Sequence, residues 1–457
     1  MISREKYELW FKRLLPSPFT IAIILSLITV SLALIFGESN GKSVGIADIA
    51  LQWERGIWNN SLLVFTFQMM FMLVLGHALA LSKPISGLIE TITKYCTDTP
   101  KAALIVTFFT LIMGFMNWGL GLIFGAILAR KVGEYAIQNG FKLHYPLVGA
   151  AGYSGLLIWH GGISGSSLIK ISEPGHLKSL TSIEGANLPE AISISETVFS
   201  GFNIVVSITL LVVLSAAMWW MGKRVKSKSF ELKGGVIQQE YGQEQEVHGA
   251  EKLNYSVILG VAIGFLVLVV AIYKIILFEG QFLGFVTPNF INLCLFGLAL
   301  IFHKNFNNFL RSIESSIGGA AGILIQFPLY FGIMGIMIES NLVIQFSEFL
   351  VSQSTERTYP IFTFISAGIV NVFVPSGGGQ WAIQGPIIVD SYLQSGIPLQ
   401  KSILAMAYGD ELTNMLQPFW ALPLLGITGL KASEIIPYTL YLMTIAFIIF
   451  IGFLFFM

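Results

Sequence analysis

Long apolar runs separated by short polar stretches occupy residues 16–36, 57–80, 102–129, 145–169, 196–222, 253–278, 286–302, 317–338, 360–389, 402–430 and 434–457. Each is long enough, or nearly so, to engage a bilayer, which needs about 20 helical residues. The runs are continuous rather than alternating, so they predict helices and not the strands of a membrane barrel. Two of them are interrupted by residues that disfavour helix. In 102–129 the break is Gly114-Phe-Met-Asn117-Trp118-Gly119-Leu-Gly121, and in 360–389 it is VPSGGGQ at 374–380. Each break leaves arms of about a dozen residues, too short to span, which predicts two re-entrant hairpins. Two more runs read as broken helices: 145–169 contains GYSGLLIWHGGISGSS, and 402–430 contains AYGDELTNMLQPFW.

The distribution of Lys and Arg predicts orientation. Lys6, Lys12 and Arg13 precede the first run, Lys83, Lys94 and Lys101 fall in 81–101, and Lys223, Arg224, Lys226, Lys228 and Lys233 fall in 223–252. These segments, with the N-terminus, are expected in the cytoplasm. The Glu-rich loops 170–196 (Glu173, Glu184, Glu190, Glu196) and 339–356 (Glu339, Glu348, Glu356) are expected outside. Arg130, Lys131 and Lys142 stay inside only if 102–129 turns back.

Asn117 and Asn371, and Tyr153 and Tyr408, recur at nearly one offset. The runs 57–80, 145–169 and 196–222 map onto 317–338, 402–430 and 434–457 at about the same spacing, which is a repeat of pattern. With 253–278 as an extra crossing, the second unit enters from the opposite side, so the repeats are inverted, as in many secondary transporters. The expected fold is an all-α polytopic membrane protein with inverted repeats, about nine full crossings, two re-entrant hairpins and two broken helices, with the C-terminus periplasmic. Residues 1–222 form the first repeat, 223–252 a cytoplasmic linker, 253–278 an extra transmembrane helix and 286–457 the second repeat.

Composition narrows the function. Of 457 residues 54% are hydrophobic and 11% charged, against about a quarter charged in soluble domains. The 26 basic and 26 acidic residues cancel, which leaves no electrostatic footprint for nucleic acid. Cys96 and Cys294 alone make neither a disulfide framework nor a thiolate cluster. The first run lacks a small-residue cleavage site and reads as a retained helix. An enzyme would need a nucleophile with its base. GYSG at 152–155 and GISG at 162–165 are cheap strings among 46 glycines, and H-E-x-x-H is absent. A channel would show a continuous polar pore, whereas the polar groups here gather at two tips and two broken helices.

Non-helical backbone at membrane depth is tolerated where protein buries it or it lines a cavity. The second tip offers Ser376, the amides of Gly377, Gly378 and Gly379, and the Gln380 side chain, with Trp381 opening the returning arm after Pro375 ends the first. The other tip offers Asn117, Trp118 and Gly119, and the second broken run adds Asn414. Such groups suit an anion, because glycine lets backbone come close and a helix N-terminus carries partial positive charge. The plainer alternative is a helix break or close packing of small residues.

Ionisable groups inside a membrane cost at least a few kcal/mol and so face a cavity or partner. That makes Asp410 and Glu411, with His160 and Thr413, candidates for a coupling cation, either proton or sodium. The alternatives are a wet loop over 402–411 and a packed His160 bonded to a carbonyl. His77 is expected at the interface, and the 36 Phe and 14 Met residues in lipid contacts and core. No metal is assigned, a sodium site near Asn117 and Ser376 staying open, and no other cofactor is expected.

VPSGGGQWAIQGPI at 374–387, QPFWALPLLGITGL at 417–430, WHGGISGS at 159–166 and KRLLPSPF at 12–19 resemble the bacterial short-chain fatty acid transporter family over essentially the whole chain. The resemblance implies a secondary carrier of the cytoplasmic membrane for monocarboxylates such as acetate, butyrate or acetoacetate. It also implies a fold like that of the divalent-anion/sodium symporters, with paired hairpins, inverted repeats and an elevator-type transport domain. Those symporters carry Ser-Asn-Thr at both tips. Here the tips read Met116-Asn117-Trp118 and Pro375-Ser376-Gly377, so neither sodium nor a second substrate carboxylate follows. One small carboxylate with an apolar tail suits an amide-and-hydroxyl cradle walled by Trp118, Trp159 or Trp381. The partners implied are a small organic anion, the lipid bilayer and, by analogy with elevator carriers, a second copy in a homodimer.

Overall fold

The computed structural model describes residues 16–39, 41–181, 186–232, 248–278 and 285–456. The expectations on Lys6, Lys12, Arg13, Glu184 and Lys233, and on the middle of the linker 223–252, lie outside those residues. The described chain is helical almost throughout. In the first half lie α1 (Pro18–Phe36), α2 (Ile46–Ile57), α3 (Asn60–Leu81), α4 (Lys83–Thr93), α5 (Thr99–Met116), α6 (Trp118–Gln138), α7 (Tyr145–Tyr153), α8 (Ser166–Lys170) and α9 (Gly201–Arg224). Then come α10 (Val257–Ile276), α11 (Pro288–His303), α12 (Phe306–Ser316), α13 (Ala321–Glu339), α14 (Leu342–Ser352), α15 (Tyr359–Phe373), α16 (Gly377–Ser395), α17 (Leu399–Thr413), α18 (Pro418–Thr428) and α19 (Ala432–Phe455). Among the described residues, seven stretches are long and apolar enough to cross a membrane: α1, α3, α5, α9, α10, α12 with α13, and α19. In an apolar solvent a free helix-end amide has no water to bond. Side-chain caps serve several of these ends: Asn59 accepts from Leu62 N at 3.2 Å, Asp98 from Lys101 N at 2.9 Å and Ser200 from Asn203 N at 3.2 Å.

The arms around both breaks are longer than expected. α5 and α6 have 18 and 21 residues and are separated by Asn117 alone. The glycines around it do not unwind the helices; they let the arms touch. A Cβ on Gly121 would lie 2.5 Å from Gly114 Cα. In the second break Gly377, Gly378 and Gly379 are the first turn of α16, with Ser376 as its cap. Asn371 lies inside α15, so the residue that occupies the place of Asn117 at a helix start is Ser376. Arg130 and Lys131 are not in a loop either. α6 continues past them, and both pair with Glu134 at 2.9 Å, Arg130 being buried.

The two ends of the α5–α6 pair lie on one face. His144 N donates to Thr99 Oγ1 at 2.9 Å, Thr99 Oγ1 meets Ser227 Oγ at 2.8 Å, and Lys228 N donates to Leu143 O at 3.2 Å. The start of α5, the loop after α6 and the end of α9 are therefore neighbours.

Contacts between backbones hold α6 against α7. A Cβ on Gly152 would sit 2.4 Å from Gly125 O, and one on Gly125 would sit 2.1 Å from Gly152 O. Backbone cannot swing aside as a side chain can, so Gly152→Ala is expected to cost about 1–3 kcal/mol by overpacking. A drop in Tm of the purified protein checks this, with Gly452→Ala, where a Cβ meets nothing within 4 Å, as the unchanged control.

Candidate functional site

Both breaks and both broken helices meet at a cavity of about 80 Å³. Its polar side is made by Ser376, Gly377, Gly378, Asn414 and Ser166. Ser376 Oγ accepts from Gly379 N at 3.2 Å, capping α16. The amides of Gly377 and Gly378 belong to the first helical turn, which has no acceptors of its own. A Cβ on Gly378 would meet nothing within 4 Å, so this glycine faces open space. At Gly377 a Cβ would come within 2.7 Å of the Trp159 ring and 2.9 Å of the His160 ring, so only glycine fits there.

Two buried side-chain donors join these amides. Asn414 Oδ1 accepts from Asn371 Nδ2 at 2.9 Å, which turns the Asn414 amide nitrogen outward from that bond; it has no partner, and neither does Trp159 Nε1. Leaving a buried donor unpaired costs about 1–3 kcal/mol. Indole and amide N–H groups donate and do not accept, and the start of α16 adds partial positive charge. The polar side is thus rich in donors and complements a group that only accepts, such as a carboxylate. The rest of the lining is apolar: Phe65, Leu156 and the rings of Trp118, Trp159 and Trp420.

Behind Trp159 lies a buried titratable cluster. His160 stacks on Trp159 with centroids 4.4 Å apart. Its Nδ1 bonds Asp410 Oδ2, and its Nε2 accepts from Ser167 N at 3.3 Å and meets Ser167 Oγ at 3.0 Å. The Ser167 amide can only donate, so Nε2 is the accepting side of the ring and Nδ1 the side that meets Asp410. Glu411 Oε2 accepts from His160 N at 2.8 Å and Gly161 N at 3.3 Å. His160, Ser167, Asp410 and Glu411 are each 0–1% exposed. Asp410 Oδ1 and Glu411 Oε1 have no partner, and among the described residues no Lys or Arg pairs with either carboxylate. The Asp–His–Ser line has the connectivity of a hydrolase triad, yet Ser167 is sealed from any substrate. A wet loop over 402–411 is ruled out, since both carboxylates lie inside α17.

The cavity gathers Trp118, Ser376, Gly377, Gly378 and Asn414, and the cluster gathers His160, Asp410 and Glu411. Other candidates fall elsewhere. Asn117 caps α6, its Oδ1 accepting from Gly119 N at 3.0 Å and Leu120 N at 3.1 Å, while Nδ2 donates to Val286 O at 3.2 Å. That oxygen is committed, which removes much of the case for sodium beside it. Gly119 packs on Met72, and Gly379 on Ser376. Gln380 Nε2 donates to Ala367 O at 2.9 Å and Gln384 Oε1 at 2.8 Å. Trp381 Nε1 donates to His176 Nε2 at 2.9 Å, away from the cavity. Burial, and then Lys170, lower the pKa of His176 against the opposing pull of Glu173, which keeps that nitrogen an acceptor. Thr413 Oγ1 donates to Gly368 O at 2.8 Å and accepts from Asn371 Nδ2 at 3.0 Å, so it braces α17 on α15. His77, near the end of α3, is buried within the protein.

Phe65, Ser166, Ser167 and Trp420 were not among the candidates. Ser166, Ser167 and Trp420 lie in the broken-helix strings, and Ser166 and Trp420 also in the family strings, but nothing singled them out within either. Phe65 sits in a uniform apolar run and had none.

A relative from Escherichia coli (strain K12), named for short-chain fatty acid transport, is 35% identical over 443 residues, covering 96% of each chain. One of like name from Haemophilus influenzae is 33% identical over 444 residues, covering 95% of each. Among solved structures the chain is similar to Neisseria gonorrhoeae MtrF, whose structure illuminates a class of antimetabolite efflux pumps (13% identity, 97% of this chain and 96% of that one, TM-score 0.43). It is also similar to the Alcanivorax borkumensis YdaH transporter (12% identity, 95% of this chain and 98% of that one, TM-score 0.44). The family profile described as "Short chain fatty acid transporter" matches residues 2–457. With that match along its whole length and two such relatives, the chain belongs to the short chain fatty acid transporter family, a family of membrane transporters and not of enzymes.

Proposed function

We propose that this protein is a secondary carrier that moves short-chain monocarboxylates such as acetate, butyrate or acetoacetate across the bacterial cytoplasmic membrane, coupled to a cation. The observation that carries the reading is the donor-rich cavity where two helix breaks meet, closed on its other side by aromatic rings. The Gly377 and Gly378 amides, Asn414 Nδ2, Trp159 Nε1 and the hydroxyls of Ser376 and Ser166 take the carboxylate. The tail lies against the rings. A dicarboxylate would press its second charge onto those rings, which offer it no compensation.

His160, Asp410 and Glu411 take the coupling cation. Two carboxylates without a Lys or Arg lie one residue behind the wall that an incoming anion touches, so cation uptake on one side of that wall favours anion uptake on the other. By linkage the coupling is reciprocal. The neighbouring ends of α5 and α6 fit a hairpin that returns to the side it enters from, whether or not its arms reach across, α5 being long enough to do so. With the α15–α16 pair and the two broken helices, it forms the mobile body of an elevator-type transport step, by analogy with carriers built from inverted repeats.

The test is uptake of radiolabelled acetate, butyrate and succinate into proteoliposomes, with proton and sodium gradients imposed separately. Accumulation of the monocarboxylates under one gradient is expected, and the gradient that drives it names the ion. Accumulation of succinate alone would overturn the substrate assignment.

A further inference from the structure

We propose that the rings around the cavity measure the length of the substrate's tail, and that Phe65 on α3 is the residue that sets it. This rests on the carboxylate site described above. The four rings form a continuous cap over the apolar side. Phe65 and Trp118 have centroids 5.9 Å apart, Phe65 and Trp420 6.1 Å, Trp118 and Trp420 5.3 Å, and Trp118 and Trp159 6.3 Å. These spacings are those of direct ring contact. A tail growing away from the donors therefore meets aromatic carbon and no passage between rings.

The volume says where growth begins to press on the rings. A cavity of about 150 Å³ takes the six carbons of benzene; on that scale the 80 Å³ here takes about three to four non-hydrogen atoms. Acetate has four. Butyrate, with six, and acetoacetate, with seven, are seated when a ring gives way, so every added methylene presses on the rings.

The rings differ in how firmly they are tied. Trp159 is stacked on His160. Trp118 follows the Asn117 cap, and its own amide donates to Ser164 Oγ at 3.0 Å. Trp420 lies edge-on to Phe419, which stacks on Phe327 at 4.0 Å. Trp159 and Trp420 belong to the broken helices that also carry carboxylate donors, and Trp118 is tied through Ser164 to the segment that holds Ser166, so moving any of the three disturbs the donors. Phe65 alone among the lining residues comes from α3, an uninterrupted helix that contributes no donor to the site. It is only half-buried and is backed by Phe327, with centroids 6.0 Å apart. Trimming Phe65 opens the apolar side and leaves the polar side as it is.

The experiment uses the full-length protein in proteoliposomes. Uptake of labelled acetate is competed by unlabelled straight-chain monocarboxylates of two to six carbons, for wild type, Phe65→Ala and the milder Phe65→Leu. Wild type is expected to bind the shortest acids best. In Phe65→Ala the preference for hexanoate over acetate should rise by at least tenfold, roughly what burying two more methylenes provides, with a smaller rise in Phe65→Leu. A ratio unchanged in whichever variants still transport overturns the assignment of Phe65 while leaving the carboxylate site intact. Should neither variant transport, competition measured by thermal shift on the purified variants reads the same ratio. Wild-type vesicles that take up no monocarboxylate of any length overturn both this inference and the reading beneath it.

Discussion

A Gly378→Leu carrier is expected to reach the membrane, fold and lose uptake of every monocarboxylate by roughly 100-fold or more. The position tolerates the change structurally, because a Cβ there meets nothing within 4 Å and leucine in a first helical turn is unstrained. What it destroys is the space above the Gly377 and Gly378 amides. Hydrogen bonds to a charged group are worth about 1.5–3 kcal/mol each, so denying the carboxylate both amides removes about 3–6 kcal/mol, or two to four decades of affinity. Unchanged Tm with lost substrate-induced stabilisation is the combined signature. A Gly378→Leu protein that transports at the wild-type rate would place the substrate elsewhere. Gly377→Leu is a poorer probe, since its side chain would strike Trp159 and His160 and confuse folding with binding.

The second large effect concerns Glu411. Glu411→Gln keeps the shape and an acceptor for the His160 and Gly161 amides but removes the charge. If the cluster carries the coupling cation, the variant loses accumulation while keeping exchange. For one coupled proton and a gradient of one pH unit, wild type supports about tenfold accumulation, the equivalent of about 1.4 kcal/mol. In Glu411→Gln the internal and external concentrations should come to equality, and labelled substrate should still exchange for unlabelled. Asp410→Asn should behave alike, because an asparagine oxygen can still accept from His160 Nδ1. Wild-type accumulation in both variants would move the coupling site away from α17.

The membrane class was plain in the sequence because lipid contact demands some twenty consecutive apolar residues, and little else does. The breaks were also legible, since Asn, Pro and Gly act on the chain locally. The role of each glycine was not. Gly119, Gly121 and Gly378 look alike along the chain, but Gly119 faces Met72, Gly121 faces Gly114 and Gly378 faces the cavity. Only the surroundings in space tell them apart, Gly378 lining the cavity with open space where a Cβ would stand. Asp410 and Glu411 were undecided because AYGDELTNMLQP is polar enough for a loop. The helix is settled by packing: a Cβ on Gly409 would lie 2.1 Å from Phe364 O, so α17 is pressed against α15. Trp381 and Trp420 traded places for a similar reason. Trp381 lies more than a turn into α16 and points to His176, whereas Trp420 lies in the first turn of α18 and faces the cavity.

The wall shared by Trp159 and His160 constrains how such a protein can evolve. On the assignment proposed above, one dipeptide faces the substrate with its first ring and the coupling carboxylates with its second, so a substitution that relaxes selectivity at Trp159 would also loosen the grip on the cation. A lineage adapting there to a new acid would leak its gradient on the way. Adaptation without that leak would run through Phe65 on α3, a helix that carries no donor and no coupling carboxylate, and divergence in diet among related carriers should be written at Phe65 sooner than at Trp159.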